Sequence, residues 1–145
     1  MPLPKYYRFR MINNTDQTLT YANAARVTVR FQPYLISSGA YDYGTLITDN
    51  MGFTTGTIAA AGESEGDVQN NSSNKNVGGT GIFKVVADAT STDGDCTLYV
   101  EYSDSDANWP SDGADFDITD LIPVCVLPLT TDAVDEDRSK NFEIN

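Results

Sequence analysis

Apolar and polar residues alternate over several short stretches, which predicts β-strands because successive side chains in a strand point to opposite faces. The alternation is clearest at residues 26–31 (RVTVRF), where Pro33 then ends or bends the predicted strand, and it recurs at residues 7–12 and 96–102. The other predicted strands are residues 19–21, 43–48, 53–60, 81–89, 122–129 and 141–145. Residues 122–129 are almost continuously apolar, so we expect burial on both faces of that strand.

Turn-forming residues separate these stretches, and one of them, Thr92-Asp93-Gly94-Asp95, is typical of a β-hairpin turn. No segment has the apolar spacing of an amphipathic helix, and Asp outnumbers Glu by 16 to 5, which favours turns over helix interiors. About eight short strands separated by turns predict an all-β fold. We expect an antiparallel, jelly-roll-like β-sandwich formed by residues 1–145 as one domain.

Residues 62–81 (GESEGDVQNNSSNKNVGGTG) interrupt the pattern with polar, small and amide side chains. Such a segment buries too little apolar surface to offset the entropy lost on ordering it. We therefore expect one long, exposed polar loop here. A loop of this length is uncommon in a compact domain and is often functional.

The formal net charge of −12 is distributed unevenly along the 145 residues. Residues 1–87 contain seven basic and six acidic side chains, whereas residues 88–145 contain two basic and fifteen acidic ones. This acidic excess argues against a nucleic-acid partner, because phosphate binding requires a surplus of Lys and Arg.

Four arginines in the basic first part of the chain are candidates for a partner interface. Arg8 and Arg10 fall on one face of the first predicted strand, and Arg26 and Arg30 fall on one face of the next clear strand. If these strands are neighbours, the four guanidinium groups form one patch suited to an acidic partner. The alternative is a set of solvated arginines, each contributing little.

The absence of histidine excludes Ser-His-Asp and Cys-His catalysis and every His-ligated metal site. Cys96 and Cys125 are 29 residues apart, which fits neither a CxxC redox pair nor a four-ligand zinc site. The first residues lack the apolar core of a signal peptide, and no apolar run reaches the roughly 20 residues that span a bilayer. We therefore expect folding in a reducing cytoplasm, with both cysteines as free, buried thiols.

An acidic stretch at residues 101–120 resembles a calcium loop only in part. Oxygen ligands at EF-hand-like spacing are Asp104, Asp106, Asn108, Asp112 and Asp115. The position that requires glycine is Trp109, and the last ligand is Asp instead of a bidentate Glu, so we expect an acidic turn and no metal or cofactor. Trp109 itself either fills a partner's pocket or folds over the sandwich edge and pins the loop; we favour pinning.

This same region is similar to a pattern found in small virion proteins of tailed phages. In that pattern, a strand ending in E-x-S leads to a Ser/Asp/Gly turn, then W-P, an acidic loop and a final strand. The matching residues are Glu101, Ser103, Trp109, Pro110 and Asp112. The acidic, His-free, β-rich composition also resembles that of capsid decoration (cement) proteins, which are typically β-sandwich or jelly-roll modules and often trimers.

The resemblance implies a non-enzymatic structural protein of a phage virion that binds the major capsid protein and forms a homo-oligomer, with a trimer favoured. The candidate interface residues are those identified above from the sequence: Arg8, Arg10, Arg26, Arg30 and Trp109. A first alternative is a glycan- or receptor-binding module of a fibre or spike that uses Trp109 and nearby tyrosines. A second is a hydrolase with paired carboxylates such as Asp115 and Asp117, although a chain with 16 Asp contains such pairs by chance.

Overall fold

The computed structural model of the chain describes residues 3–21, 27–49, 56–87, 94–112, 121–129 and 136–145. These residues form twelve strands and a short 3₁₀ helix, Pro110–Asp112. The strands are β1 (Tyr6–Asn13), β2 (Leu19–Tyr21), β3 (Val27–Ser37), β4 (Ala40–Tyr43), β5 (Ile47–Asp49), β6 (Gly56–Ile58), β7 (Glu63–Glu65), β8 (Gln69–Asn70), β9 (Gly78–Ala87), β10 (Asp95–Ser103), β11 (Ile122–Pro128) and β12 (Glu136–Ile144).

Ten of these strands form two antiparallel five-stranded sheets that enclose one core. Sheet I has the order β11-β10-β1-β7, and β8 also pairs with β1. Sheet II has the order β12-β9-β3-β4, and β5 also pairs with β3, while β2 and β6 form a separate two-stranded pair. The predicted all-β sandwich is therefore confirmed. Among the strands of the two sheets, the chain changes sheet between β1 and β3, β5 and β7, β8 and β9, β9 and β10, and β11 and β12.

Aromatic rings from both sheets meet in the centre of the core. Phe31 of β3 and Phe142 of β12 stack with ring centroids 6.0 Å apart, and Phe9 of β1 approaches Phe31 edge-on at 5.3 Å. On β9, Gly79 lies under the Phe31 ring and Gly81 under the Phe142 ring, where any Cβ atom would collide with them. The two glycines therefore create the space that lets the sheets close on these rings.

The expectation that residues 122–129 are buried on both faces is wrong. Strand β11 is an edge strand in which Cys125 and Leu127 face the core, whereas Ile122 and Val126 are exposed. An apolar edge strand invites pairing with another chain, and prolines within β11 oppose such pairing because they lack a backbone N–H. Cys96, opposite Leu127, and Cys125 are both buried and free, as predicted.

Of the two expectations for Pro33, that it ends or that it bends its strand, the first is wrong. Strand β3 continues to Ser37, and Pro33 lies where its edge partner changes from β5, paired at Val29–Phe31, to β4, paired from Tyr34 onward. A missing N–H is tolerated at such a break in the ladder. The carbonyl of Pro33 still accepts a hydrogen bond from the Gly44 amide at 2.9 Å.

The predicted Asp-Gly hairpin does not join two paired strands. Strand β9 belongs to sheet II and β10 to sheet I, so this connection passes between the sheets. Gly94 has a positive φ of 111°, and residues 92 and 93 lie outside the described part of the chain. The same turn residues therefore serve a crossover, which the local sequence cannot distinguish from a hairpin.

The interpretation of residues 62–81 as one exposed loop needs correction. Strands β7 and β8 pair with β1, and β9 begins at Gly78. The buried Asn71 amide donates to the carbonyls of Pro4 and Asn76, and its oxygen accepts from the Asn76 N–H at 2.8 Å. Backbone pairing and satisfied amides order this segment, so its lack of apolar residues did not make it a free loop.

Strand β12 is longer than predicted. The short strand expected at residues 141–145 begins at Glu136 and forms the outer edge of sheet II along β9. Within the described residues, no helix has the length and apolar character needed to cross a lipid bilayer.

Candidate functional site

The outer face of sheet I, the face directed away from the core, carries Arg8 and Arg10 in buried positions. They alternate with Tyr7, Phe9 and Met11, whose side chains fill the core. The predicted shared face of Arg8 and Arg10 is thus confirmed. However, only 8% of the Arg8 side chain and 1% of the Arg10 side chain are exposed.

Arg8 is held by partners from three separate parts of the chain. Its Nε donates to Oε2 of Glu101 at 2.6 Å, and its Nη1 lies 3.0 Å from Oε2 of Glu65. Its Nη2 donates to Oγ of Ser111 at 2.8 Å and lies 3.4 Å from Oδ1 of Asp112. The guanidinium therefore ties β1 to β10, to β7 and to the 3₁₀ helix.

Arg10 forms a second centre beside the first. Its Nη1 lies 2.5 Å from Oε2 of Glu63, its Nη2 donates to Glu65, and its Nε lies 3.5 Å from Oε2 of Glu101. Burial by itself lowers the pKa of Arg10, but the hydrogen bond with Glu63 and the charges of the three glutamates outweigh it, so the net pKa is raised. Arg10 stays charged and bound to its carboxylates.

Glu101, like Glu65, contacts both arginines in what we call the arginine network, formed by Arg8, Arg10, Glu63, Glu65, Glu101 and Asp112. It is fully buried, and its Oε1 also accepts the Ser111 backbone N–H at 3.2 Å. With two arginines and four carboxylates, the network's formal charge is −2. Each of these charges is engaged by a charge of opposite sign.

Trp109 covers this network. The Arg8 guanidinium carbon lies 4.5 Å from the centroid of the indole ring, and the indole Nε1 donates to the Asp106 carbonyl at 3.3 Å. The residue is only 7% exposed. The structure therefore supports the favoured interpretation that Trp109 pins its loop, and the ring faces its own chain instead of a partner's pocket.

The described arginines of this set, Arg8, Arg10 and Arg30, do not form one patch. Strand β1 lies in sheet I and β3 in sheet II, so Arg30, on the outer face of sheet II, is on the opposite side of the sandwich from Arg8 and Arg10. The prediction assumed that two strands close in sequence are neighbours in one sheet, whereas the chain crosses between sheets. Arg26 lies outside the described residues.

The described candidate calcium ligands, residues 104, 106, 108 and 112, are not gathered into a site. Asp104, Asp106 and Asn108 are exposed, whereas the carboxylate of Asp112 is directed toward Arg8. Asp115 lies outside the described residues, as does Asp117. In the described part of the chain, no group of three or more Cys, Asp or Glu side chains is placed to hold a metal ion.

The outer face of sheet II contrasts with that of sheet I, because it holds an open groove of about 660 Å³. Arg30 and Glu143 contribute the charged side chains of its lining, and Leu46 and Ile82 contribute exposed apolar ones. This groove was not anticipated from the sequence. It depends on the pairing of β3 with β9, which places Arg30 opposite Ile82 and Gln32 opposite Thr80, and the sequence does not predict that pairing.

A second feature missed in the sequence is the hairpin formed by β3 and β4. Its turn, Ser38-Gly39, has positive φ at both residues, as two-residue hairpins require. Tyr41 and Tyr43 pack edge-on against Tyr34, with ring centroids at 4.9 and 6.2 Å. Tyr41, Tyr43 and Ile36 are about 60% exposed, so we name Ile36, Tyr41 and Tyr43 the hairpin patch.

Compared with protein-family models, curated proteins and solved structures, the chain matches none of them at a significant level. Function is therefore argued from the geometry of these two faces.

Proposed function

We propose that the protein is a non-enzymatic structural component of a phage virion, a capsid decoration protein that binds the major capsid protein and stabilises the shell. The observation that carries this proposal is the hairpin patch. It presents two tyrosines and an isoleucine, each about 60% exposed, at one end of sheet II. Exposed apolar side chains grouped in this way are typical of protein-binding surfaces.

The patch is rigid before it meets a partner. Tyr34, against which Tyr41 and Tyr43 pack, is buried, and its hydroxyl donates to Oδ1 of Asn145 at 2.8 Å. Tyrosine also loses little conformational entropy on binding, since its side chain has two rotatable angles. A pre-organised patch of this kind retains more of its contact energy as affinity.

The arginine network supports the same proposal from the other face. In this network, the clustered ionisable side chains of sheet I form ion pairs with one another, and the chain contains no histidine. These charges brace the sandwich and are not arranged to transfer protons. A rigid scaffold with one projecting apolar hairpin fits a protein whose task is to bind.

Decoration would stabilise the shell by mass action. A protein that binds the assembled lattice, and not the free subunits, shifts the assembly equilibrium toward the lattice. If each copy bridges neighbouring capsid subunits, the lattice also gains from multivalent attachment.

The alternative, a glycan-binding module of a fibre or spike, would now depend on the tyrosines of the hairpin instead of the buried Trp109. A groove of about 350 Å³ beside Tyr43 is lined by Asp42, Asn74 and Asn76, which suit sugar hydroxyls. However, Asp42 and Tyr43 are successive residues of β4, and their side chains point to opposite faces. Tyr43 also lines this groove, but its ring packs edge-on against Tyr34, on the face of β4 opposite to Asp42, so decoration is the better supported function.

The test is co-sedimentation with shells assembled from the major capsid protein encoded in the same genome. We expect the native protein to bind the shells and raise their melting temperature, and Tyr41→Ala with Tyr43→Ala to weaken binding at least about tenfold. Val68→Ala, at an exposed valine outside the patch, is the matched control and should bind normally. Absence of binding by the native protein, or equal binding by the tyrosine variant, would refute the proposal.

A further inference from the structure

The groove on the outer face of sheet II has an ordered arrangement of side chains. Arg30 of β3 lies opposite Ile82 of β9, which lies opposite Asn141 of β12. One row further, Gln32, Thr80 and Glu143 are aligned in the same way. Arg30 and Glu143 therefore lie on the two strands that flank β9, in neighbouring rows of cross-strand partners.

The charge of this groove differs from that of the molecule. Arg30 and Glu143 are the charged residues of its lining, so the groove is neutral, whereas the chain carries −12. Copies of so acidic a protein repel one another through most surfaces. The groove is neutral, so this repulsion is weak there, and its exposed Leu46 and Ile82 provide apolar area that a second copy could bury.

We propose that the groove binds the same groove of a second copy, forming a twofold-symmetric dimer. In such an isologous contact, if residue i meets residue j, then residue j meets residue i. A twofold axis passing over β9, between Ile82 and Thr80, brings Arg30 of each copy opposite Glu143 of the other. Because strands are about 4.8 Å apart, both ion pairs lie within about 10 Å of β9 and enclose Ile82.

Other arrangements of copies fit the geometry less well. The arginine network has exposed carboxylates, but it lies on the opposite side of the sandwich from Arg30. Head-to-tail contact between opposite faces propagates as an open stack and does not close into a ring. The trimer implied by the resemblance to decoration proteins would therefore use a surface other than this groove.

The Arg30–Glu143 pairing provides a direct experiment, measured by sedimentation equilibrium of the full chain at low and physiological salt. Arg30→Glu and Glu143→Arg each place like charges opposite one another, so each should weaken dimerisation at least about tenfold. The double variant, Arg30→Glu with Glu143→Arg, exchanges the charges within each pair and should restore the dimer. Val68→Glu, at an exposed valine outside the groove lining, controls for added negative charge.

Restoration by the exchange supports the inference, because it requires both residues to meet across one twofold interface. A native protein that remains monomeric, or a trimer unaffected by these changes, would overturn it. Failure of the double variant to recover, with melting temperatures unchanged, would also overturn it. The hairpin patch is unaltered in these variants, so shell binding by a monomeric Arg30→Glu protein would separate this inference from the proposed function.

Discussion

Arg8 and Glu101 lie directly opposite each other on the paired strands β1 and β10, and the guanidinium Nε donates to the carboxylate Oε2 at 2.6 Å. The same carboxylate oxygen lies 3.5 Å from Nε of Arg10. One fully buried glutamate therefore faces two buried arginines, and the stability of the outer face of sheet I depends on its charge.

Replacing that charge should destabilise the protein strongly. In Glu101→Gln the side chain keeps its shape but leaves two buried guanidinium groups with less compensation, which costs about 3–5 kcal/mol when a buried pair is broken. We expect a loss of this size in the free energy of unfolding measured with urea.

Asp112→Asn is the matched comparison, because Asp112 also faces Arg8 but its side chain is 52% exposed. Exposed ion pairs contribute about 0–1 kcal/mol, so this variant should remain close to the native protein. Equal losses in the two variants would contradict the central role of Glu101.

Sequence pattern predicted the strands that alternate cleanly, and it placed Arg8 and Arg10 on one face. It could not predict that this face is covered, because the carboxylates that cover it come from 55 and 93 residues away. Strand pairing over such separations depends on the whole fold. For the same reason, the polar residues 62–81 concealed two strands that are ordered by pairing with β1.

The interaction surfaces were missed for a different physical reason. Of the tyrosines of β4, Tyr43 lies in the strand predicted at residues 43–48 and Tyr41 lies outside it. Only their contacts with Tyr34 show that they form one patch. Likewise, Arg30 was identified as an interface candidate, but its position relative to Glu143 depends on the register of β3, β9 and β12.

Gly79→Ala should destabilise the protein. A Cβ atom at this position would overlap the Phe31 ring, so the ring or the strand must shift within the closed core. Overpacking of this kind costs about 1–3 kcal/mol. Thr80→Ala, on the next residue and the exposed outer face, should change the urea midpoint little. A fully stable Gly79→Ala protein would show that the core accommodates the methyl group.

Alkaline pH should weaken the fold through the buried thiols. Burial, with a smaller contribution from Asp95, raises the pKa of Cys96 from 9.0 to about 12. Between these values the unfolded chain loses the thiol proton while the folded chain keeps it, so the free energy of unfolding falls as the pH rises. We expect Cys96 to contribute about 1 kcal/mol of this loss at pH 10.

The comparison of native protein with Cys96→Ala isolates this contribution, since the tyrosines titrate in both. In single-cysteine variants, Cys96 should react with a thiol reagent more slowly than Cys125. Burial raises the pKa of Cys125 as well, but the charge of Lys140 partly offsets that increase. Rapid labelling of Cys96 in the native protein at pH 8 would contradict its position in the core.

Calcium should have little effect on stability. Asp112 faces Arg8, so its carboxylate is not free to turn toward an ion without breaking that contact. We expect the melting temperature to be the same in millimolar calcium and in EDTA. A rise of several degrees with calcium that Asp104→Ala abolishes would establish a site in this loop.

The single tryptophan of the chain offers a direct probe of the pinned loop. Because Trp109 is 7% exposed and covers Arg8, native fluorescence should be blue-shifted and weakly quenched by acrylamide, and it should shift to the red on unfolding. Trp109→Ala removes a buried aromatic side chain and the cover over the arginine network, at a cost of about 3–5 kcal/mol. Trp109→Phe keeps a ring over the guanidinium but loses the hydrogen bond to Asp106, so it should recover part of that loss. Strong acrylamide quenching in the native state, together with an unaltered stability of Trp109→Ala, would mean that the indole faces solvent and is available to a partner.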